Sequence, residues 1–90
     1  MTNSIKAIAS HIASHSAHGL AEALASAGVS AERCGALHGD EACHVDGYGT
    51  VFFHDSTWQV RGMDGCEDRI DNDELAEELA EIITMTKQIL

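Results

Sequence analysis

The last third of the chain has the clearest pattern of apolar and polar positions. Its inward positions recur three or four residues apart, as on one face of an α-helix; they are Leu75, Leu79, Ile82, Ile83 and Thr86. Asp71 is a candidate N-cap, and Glu74 three residues later completes a capping box. Ile70 and Leu75 have the spacing of a hydrophobic staple. The pattern predicts an amphipathic helix from residue 72 to about residue 89.

The first third of the chain also has helical spacing. Ile5, Ile8 and Ile12 fall on one face, and Asn3 or Ser4 is a candidate cap. This pattern predicts a helix over residues 3–18.

The helical pattern continues beyond Gly19. The stretch "LAEALASA", residues 20–27, is predicted to be helical and to end at Gly28. Whether Gly19 breaks the helix or only weakens it stays open. Ser30 is a candidate cap for a third, short helix, "AERCGALH", which would stop at Gly39.

The middle of the chain is rich in β-branched and aromatic residues separated by turn signals. Asp46-Gly47 is a strong hairpin signal, and Asp55-Ser56 is a weaker one. A turn at 55–56 places Phe53 opposite Trp58 and Val51 opposite Val60 on the core face, with Phe52 and Gln59 facing the other way. We therefore predict an α+β domain spanning residues 1–90, with N-terminal helices, a two- or three-stranded antiparallel sheet and an acidic C-terminal helix.

The charge of the chain is strongly negative and uneven. The formal net charge is −10 for 90 residues. Residues 1–30 sum to zero, whereas residues 31–60 sum to −4 and residues 61–90 to −6. Such a chain repels nucleic acid and anionic membranes and is attracted to basic surfaces. Acidity that only keeps a small protein soluble is the alternative interpretation.

The acids concentrate in the stretch "CEDRIDNDELAEELAEI", residues 66–82, which contains a single basic residue. Carboxylates one helical turn apart repel each other by a few tenths of a kcal/mol per pair, and the helix dipole favours only those in the first turn. A row with this spacing coarsely imitates the charge line of DNA, which has one phosphate per roughly 3.4 Å along each strand. The candidate partner-binding residues are Asp64, Glu67, Asp68, Asp71, Asp73, Glu74, Glu77, Glu78 and Glu81. A merely solvated face of good helix formers is the other interpretation.

Other classes of protein are less well supported by the sequence. No apolar run is long enough to span a membrane, and the N-terminus lacks the compact apolar region of a signal peptide. The three cysteines are odd in number and irregularly spaced, so we expect no disulfide scaffold and a reducing, cytoplasmic location.

Histidines and cysteines offer a second line of chemistry. His11, His15 and His18 fall at i, i+4 and i+7, a spacing that could hold zinc or nickel on one helix face. A second candidate set contains Cys34, His38, Cys43 and His44. Neither set matches a standard zinc spacing. Cys34 with His38, or Cys43 with His44, could form a Cys–His dyad, but the sequence contains no oxyanion or phosphate loop to accompany them. We expect no enzymatic activity and no cofactor.

The layout resembles a known class of proteins. A helix, a short hairpin with "GYGTVFFHDSTWQV" and an acidic loop and helix, "DGCEDRIDNDELAEELAEI", are similar to the small acidic anti-CRISPR proteins of phages and mobile elements. The resemblance covers size, charge and element order. It implies a non-enzymatic DNA mimic that occupies a basic groove of a Cas subunit, such as the PAM-reading large subunit of a type I surveillance complex, without binding nucleic acid or membrane itself.

Two further hypotheses stay open at this stage. One is a small metal-binding or regulatory module built from the histidines and cysteines. The other is a structural or adaptor protein, monomeric or dimeric, in which Phe52 and the apolar end Ile89-Leu90 form an interface.

Overall fold

Helices and strands alternate in blocks along the chain. The computed structural model describes the backbone of residues 2–89, and the side chains of that range apart from positions 2, 3, 36, 88 and 89. In this range the elements are α1 (Thr2–Ala13), α2 (Ala17–Ser26), β1 (Ala31–Leu37), β2 (Asp40–Val45), β3 (Gly49–His54), β4 (Thr57–Arg61), β5 (Glu67–Ile70) and α3 (Asn72–Ile89). The predicted α+β class is confirmed, although the sheet has five strands rather than two or three.

The predicted helix over residues 3–18 starts within one residue of the observed helix but is too long at its C-terminal end. Helix α1 already includes Asn3 and stops at Ala13, and His15 then takes a left-handed backbone conformation with φ 60°. The Oγ of Ser16 accepts a hydrogen bond from the Gly19 N–H at 3.0 Å and so caps α2. This cap starts a new helix three residues before Gly19, so the break lies in the preceding turn and not at the glycine.

The structure answers the open question about Gly19, which does not break a helix. It lies inside α2, where a Cβ atom would overlap the His11 ring of α1. The absent side chain therefore allows the two helices to approach closely, and α2 continues to Ser26.

The predicted third helix after Ser30 is also wrong, because its residues form strand β1. Alanine, glutamate and leucine favour helix, but a segment this short gains little from propensity alone. Pairing with β2 satisfies its backbone groups instead, with Glu32 opposite His44 and Cys34 opposite Ala42. A β-bulge between Cys34 and Leu37 then bends the end of the hairpin.

The five strands form an antiparallel meander in the order β1-β2-β3-β4-β5. Both predicted turns are confirmed. Asp46-Gly47 lies in the β2–β3 turn, and Asp55-Ser56 joins β3 to β4 with positive φ at both residues, as a type I′ turn requires. The register pairs Phe53 with Trp58 and Val51 with Val60, as predicted.

All three helices contribute to a core on one face of the sheet. The buried side chains are Ile8, Ile12, Ala17, Leu20, Ala21, Leu24, Val29, Cys43, Val45, Val51, Trp58, Ile70, Leu75, Leu79 and Ile83. Trp58 lies at the centre, fully buried, with its Nε1–H donating to the Ile12 carbonyl at 3.0 Å. Its ring meets Phe53 edge-on, and His15 stacks on Phe53 with ring centroids 3.8 Å apart. This chain of contacts holds the α1–α2 turn against the sheet.

Helix α3 follows the sequence prediction from residue 72 to residue 89. The Asp71 carbonyl accepts the first helical hydrogen bond from the Leu75 N–H at 2.9 Å, which places Asp71 at the N-cap. Ile70 and Leu75 are both buried in the core, as the predicted staple requires.

Gly49 is expected to be the glycine least tolerant of substitution. Its φ is 145°, and a Cβ there would lie 2.5 Å from the Arg61 carbonyl oxygen of the neighbouring strand. Gly49→Ala is therefore expected to lower the free energy of unfolding by about 2–4 kcal/mol, from backbone strain and overpacking together. Gly35→Ala is the matched control, since the space around Gly35 is open; its effect should stay within about 1 kcal/mol. Urea denaturation followed by circular dichroism measures both, and equal effects would contradict the close-contact explanation.

Candidate functional site

The predicted acids lie mainly on the solvent side of α3 and its lead-in. Seven of the nine are exposed: Asp64, Asp68, Asp71, Asp73, Glu74, Glu77 and Glu81. Glu67 and Glu78 are half-buried. Because Leu75, Leu79 and Ile83 are buried, the glutamates between them point away from the core. No ion pair joins any of the seven exposed acids to a basic side chain within the described residues.

A groove runs between α3 and the β4–β5 region. It encloses about 290 Å³, and its lining includes four of the predicted acids, namely Asp64, Asp68, Glu74 and Glu78. Apolar surface between them comes from Val60, Ile70 and the Tyr48 ring. Arg69 is the one basic residue in the lining, beside four acidic ones. We call this feature the acidic groove.

Tyr48 fixes the position of one acid in the acidic groove. Its hydroxyl donates a short hydrogen bond to Oε1 of Glu78. Burial of the ring, followed by the hydrogen bond to Glu78, raises the pKa of Tyr48 well above its ordinary value. The tyrosine therefore stays protonated and remains a donor throughout the neutral range.

Asp64 is held in the β4–β5 loop by the backbone. Its Oδ1 accepts a hydrogen bond from the Cys66 N–H at 3.0 Å. This backbone hydrogen bond lowers the pKa of Asp64, whereas the neighbouring carboxylate raises the pKa of the Cys66 thiol. At neutral pH Asp64 thus adds a full negative charge to the groove and Cys66 adds none.

Glu67 is separated from the other predicted acids. In β5 it alternates with Asp68, so the two side chains leave opposite faces of the sheet. Arg61 Nη2 lies 2.9 Å from Oε2 of Glu67, and His38 Nε2 lies 2.9 Å from both carboxylate oxygens. The hydrogen bond from His38 and the nearby positive charge of Arg61 lower the pKa of Glu67. Its charge is balanced within the chain, so Glu67 does not contribute to the acidic groove.

The structure also corrects the expected histidine set. The helix break places His11 in α1, His15 in the turn and His18 in α2, so they do not share one helix face. His15 stacks on Phe53, and His18 Nδ1 lies 3.4 Å from Oε2 of Glu41. Within the part of the chain that the structure describes, no group of three or more His, Cys, Asp or Glu side chains is arranged to hold a metal ion.

The cysteines are separated in the same way. All three are free, with Cys43 buried, Cys34 half-buried and Cys66 exposed. Burial raises the pKa of the Cys43 thiol to about 12, and His44 next to it in β2 faces the other side and contacts Thr50. Cys43 therefore packs as a small apolar side chain.

Phe52 does not form the exposed interface expected from the sequence. It faces away from the helices, as predicted, but its side chain is 0% exposed. The expected partners in that interface, Ile89 and Leu90, lie outside the described side chains. A polar cluster absent from the sequence analysis lies beside Phe52, with His38 bound to Glu67 and His54 Nδ1 bound to Asp40 at 2.6 Å. Only knowledge of the β1–β2 pairing and its bulge would have brought these residues together.

Between residues 2 and 89, no helix combines the length and apolar character needed to cross a lipid bilayer. A comparison with protein-family models, curated proteins and solved structures finds no match for this chain.

Proposed function

We propose that this protein is a non-enzymatic inhibitor whose acidic groove and α3 acids occupy a basic nucleic-acid-binding site on another protein. The observation that carries the proposal is the convergence of Asp64, Asp68, Glu74 and Glu78 on one groove. None of these four forms an ion pair with a lysine or arginine in the described part of the chain. Their charge is available to another molecule.

The lining of the acidic groove suits arginine side chains. A guanidinium binds carboxylates through paired hydrogen bonds and stacks on aromatic surfaces, while its methylene stem packs on apolar side chains. Glu74 and Glu78 offer the carboxylates, and Tyr48, Val60 and Ile70 offer the apolar contact. Because Glu78 is already held by Tyr48, less side-chain freedom is lost when a partner binds.

The acids along α3 extend the same surface. Asp73, Glu77 and Glu81 recur at one-turn spacing and are exposed. Their mutual repulsion, a few tenths of a kcal/mol per neighbouring pair, is relieved when cationic side chains approach. The net charge of −10 adds long-range attraction that accelerates encounter with a basic partner.

The resemblance to small acidic anti-CRISPR proteins supports one class of partner. We propose a Cas subunit with a lysine- and arginine-rich DNA groove, such as the PAM-reading subunit of a type I surveillance complex. Such a groove binds phosphates at regular spacing, and the row of carboxylates offers comparable charges.

A competition experiment tests the proposal. Purified type I surveillance complex is mixed with labelled duplex target, and DNA binding is measured by gel shift as this protein is added. We expect DNA binding to be lost and excess duplex to restore it. We also expect the affinity between the two proteins to fall at least about tenfold between roughly 50 and 200 mM salt, since exposed charges are screened over that range.

Two outcomes would count against the proposal. One is a complex with the protein that forms but still binds duplex target with unchanged affinity. The other is an affinity that does not depend on salt, which would indicate an apolar interface rather than an acidic one. The control variant neutralises Glu22, Glu32 and Asp46, which are all exposed and lie outside the groove. We expect this variant still to inhibit DNA binding in the same assay.

A further inference from the structure

The sheet buries apolar side chains on the face that no described helix covers. Phe52 and Ala42 are both 0% exposed, and they are directly opposite each other in the β2–β3 register. They do not belong to the main core, whose strand residues face the helices. Something other than a helix must therefore keep water away from Phe52.

The tip of the β1–β2 hairpin provides that cover. His38 and Gly39 form its turn, with φ values of 56° and 87°, and it follows the bulge in β1, where the regular strand pairing is interrupted. The His38 ring centroid lies 5.5 Å from that of Phe52. The His38 ring then reaches Glu67 on β5, the strand at the other end of the sheet order.

A second histidine ties the same region together. His54 Nδ1 lies 2.6 Å from Oδ2 of Asp40, at the start of β2, and His54 Nε2 lies 3.7 Å from Oδ2 of Asp55. The rings of His38 and His54 are 5.5 Å apart. Two imidazoles thus lie among three carboxylates that link the hairpin tip to the rest of the sheet.

We propose that the β1–β2 hairpin tip is a proton-controlled flap over Phe52, closed when His54 is protonated and bound to Asp40 at the start of β2, and loosened when His54 loses its proton. Charge-assisted hydrogen bonds are about twice as strong as neutral ones, and histidine is the side chain whose charge changes near neutral pH. Loosening the tip exposes Phe52 and Ala42 to water, because no described helix covers this face of the sheet.

The surrounding charges set the direction of this response. Around His38 lie Glu67 from β5, Arg61 from β4, His54 from β3 and Asp40 from β2, with Asp55 beyond His54 and Arg69 on the same face of β5 as Glu67. Arg61 keeps Glu67 ionised, which preserves the hydrogen-bond acceptor for His38. A protonated His54 has the carboxylates of Asp40 and Asp55 beside it, so the closed arrangement leaves its charge balanced.

The pKa shifts agree with this geometry. The hydrogen bond to Asp40 raises the pKa of His54, so its contribution is complete below the ordinary histidine value and is lost as pH rises through the raised value. The hydrogen bond from His38 lowers the pKa of Glu67, so that contribution is complete above the ordinary glutamate value and is lost only in stronger acid. The flap is therefore most tightly closed in mildly acidic solution.

Amide hydrogen exchange, followed by NMR on the full chain, tests the flap. Protection factors of residues 37–41 are compared at about pH 5.5 and about pH 8.5, on either side of the histidine range. We expect wild-type protection at the tip to be about two- to fivefold higher at the lower pH, a modest factor because exposed ion pairs are screened by solvent. Amides in α3 serve as an internal reference.

His38→Asn removes the contact between His38 and Glu67 without disrupting the turn. Asparagine accepts positive φ, and Asn-Gly is a favoured type I′ turn, so the hairpin persists while the contact with Glu67 is removed. We expect this variant to lose protection at residues 37–41 at both pH values, whereas His54→Gln, which removes the charged contact with Asp40, should lose most of the pH dependence. His44→Gln is the control, because His44 is hydrogen-bonded to Thr50 on the same face and forms no ion pair among the described side chains; it should retain the pH response. Tip protection that is equal at both pH values in the wild type, or unchanged in His38→Asn, would overturn the proposal.

Discussion

Replacing Trp58 with alanine is expected to remove a large part of the stability of this protein. Trp58 is 0% exposed, contacts Phe53 edge-on and donates to the carboxyl end of α1 through Ile12. Large-to-small changes of this kind cost about 3–5 kcal/mol. A domain of this length has roughly 5–13 kcal/mol in total, so Trp58→Ala should be partly unfolded at mild denaturant concentrations.

Two further variants make the Trp58 result specific. Trp58→Phe preserves most of the apolar volume but loses the hydrogen bond, and we expect it to cost about 1–2 kcal/mol. Met63→Ala changes a side chain that is 70% exposed and should stay within about 0.5 kcal/mol. Because Trp58 is the only tryptophan, circular dichroism must follow the urea transition. If Trp58→Ala unfolded at the same urea concentration as wild type, the assignment of Trp58 to the centre of the core would be wrong.

The elements that were predicted correctly have patterns that depend on local residues alone. Helix α3 has a cap, a staple and a regular apolar face, and all three signals agree about where it begins. The β3–β4 hairpin was placed because its turn and its alternating apolar residues fix the register together. The pairing of Phe53 with Trp58 follows from those two facts without knowledge of the rest of the chain.

The elements that were predicted wrongly depend on distant parts of the chain. The residues of β1 have helical propensity, yet pairing with β2 on one side and contact with α2 decide their conformation. The α1–α2 break is set by Ser16 as a cap and by His15 stacking on Phe53, which is 38 residues further along the chain. Gly19 suggested a break only because close helix packing and helix termination both favour glycine.

The acidic residues of the candidate site could be predicted from the sequence, but the groove that they line could not. The alternation of acids and leucines is enough to place Glu74 and Glu77 on the solvent side of α3. The groove depends on where the β4–β5 loop and Tyr48 lie relative to that helix, which no local pattern indicates. The alternation of side chains along a strand would place Glu67 and Asp68 on opposite faces. The sequence does not indicate that β5 is a strand, because only Ile70 among its four residues is apolar.

Neutralising two acids of the acidic groove and one neighbouring acid of α3 is expected to abolish high-affinity binding to a basic partner. The variant combines Asp68→Asn, Glu74→Gln and Glu77→Gln, all of them exposed. If each carboxylate contributes about 1 kcal/mol to binding, their loss lowers affinity roughly 100-fold. The fold should not suffer, because removal of the Glu74–Glu77 repulsion offsets the lost interaction of Glu74 with the helix N-terminus.

The matched control separates a defined surface from the overall charge. Glu22→Gln, Glu32→Gln and Asp46→Asn together change the net charge by the same +3, from −10 to −7, at exposed positions on α2, β1 and the β2–β3 turn. These changes reduce only the long-range attraction, so we expect no more than about a threefold loss of affinity. Binding is measured by calorimetry with the purified surveillance complex and, independently of partner identity, with an arginine-rich helical peptide. Equal losses in the two triple variants would mean that net charge alone drives association, and the acidic groove would then have no specific role.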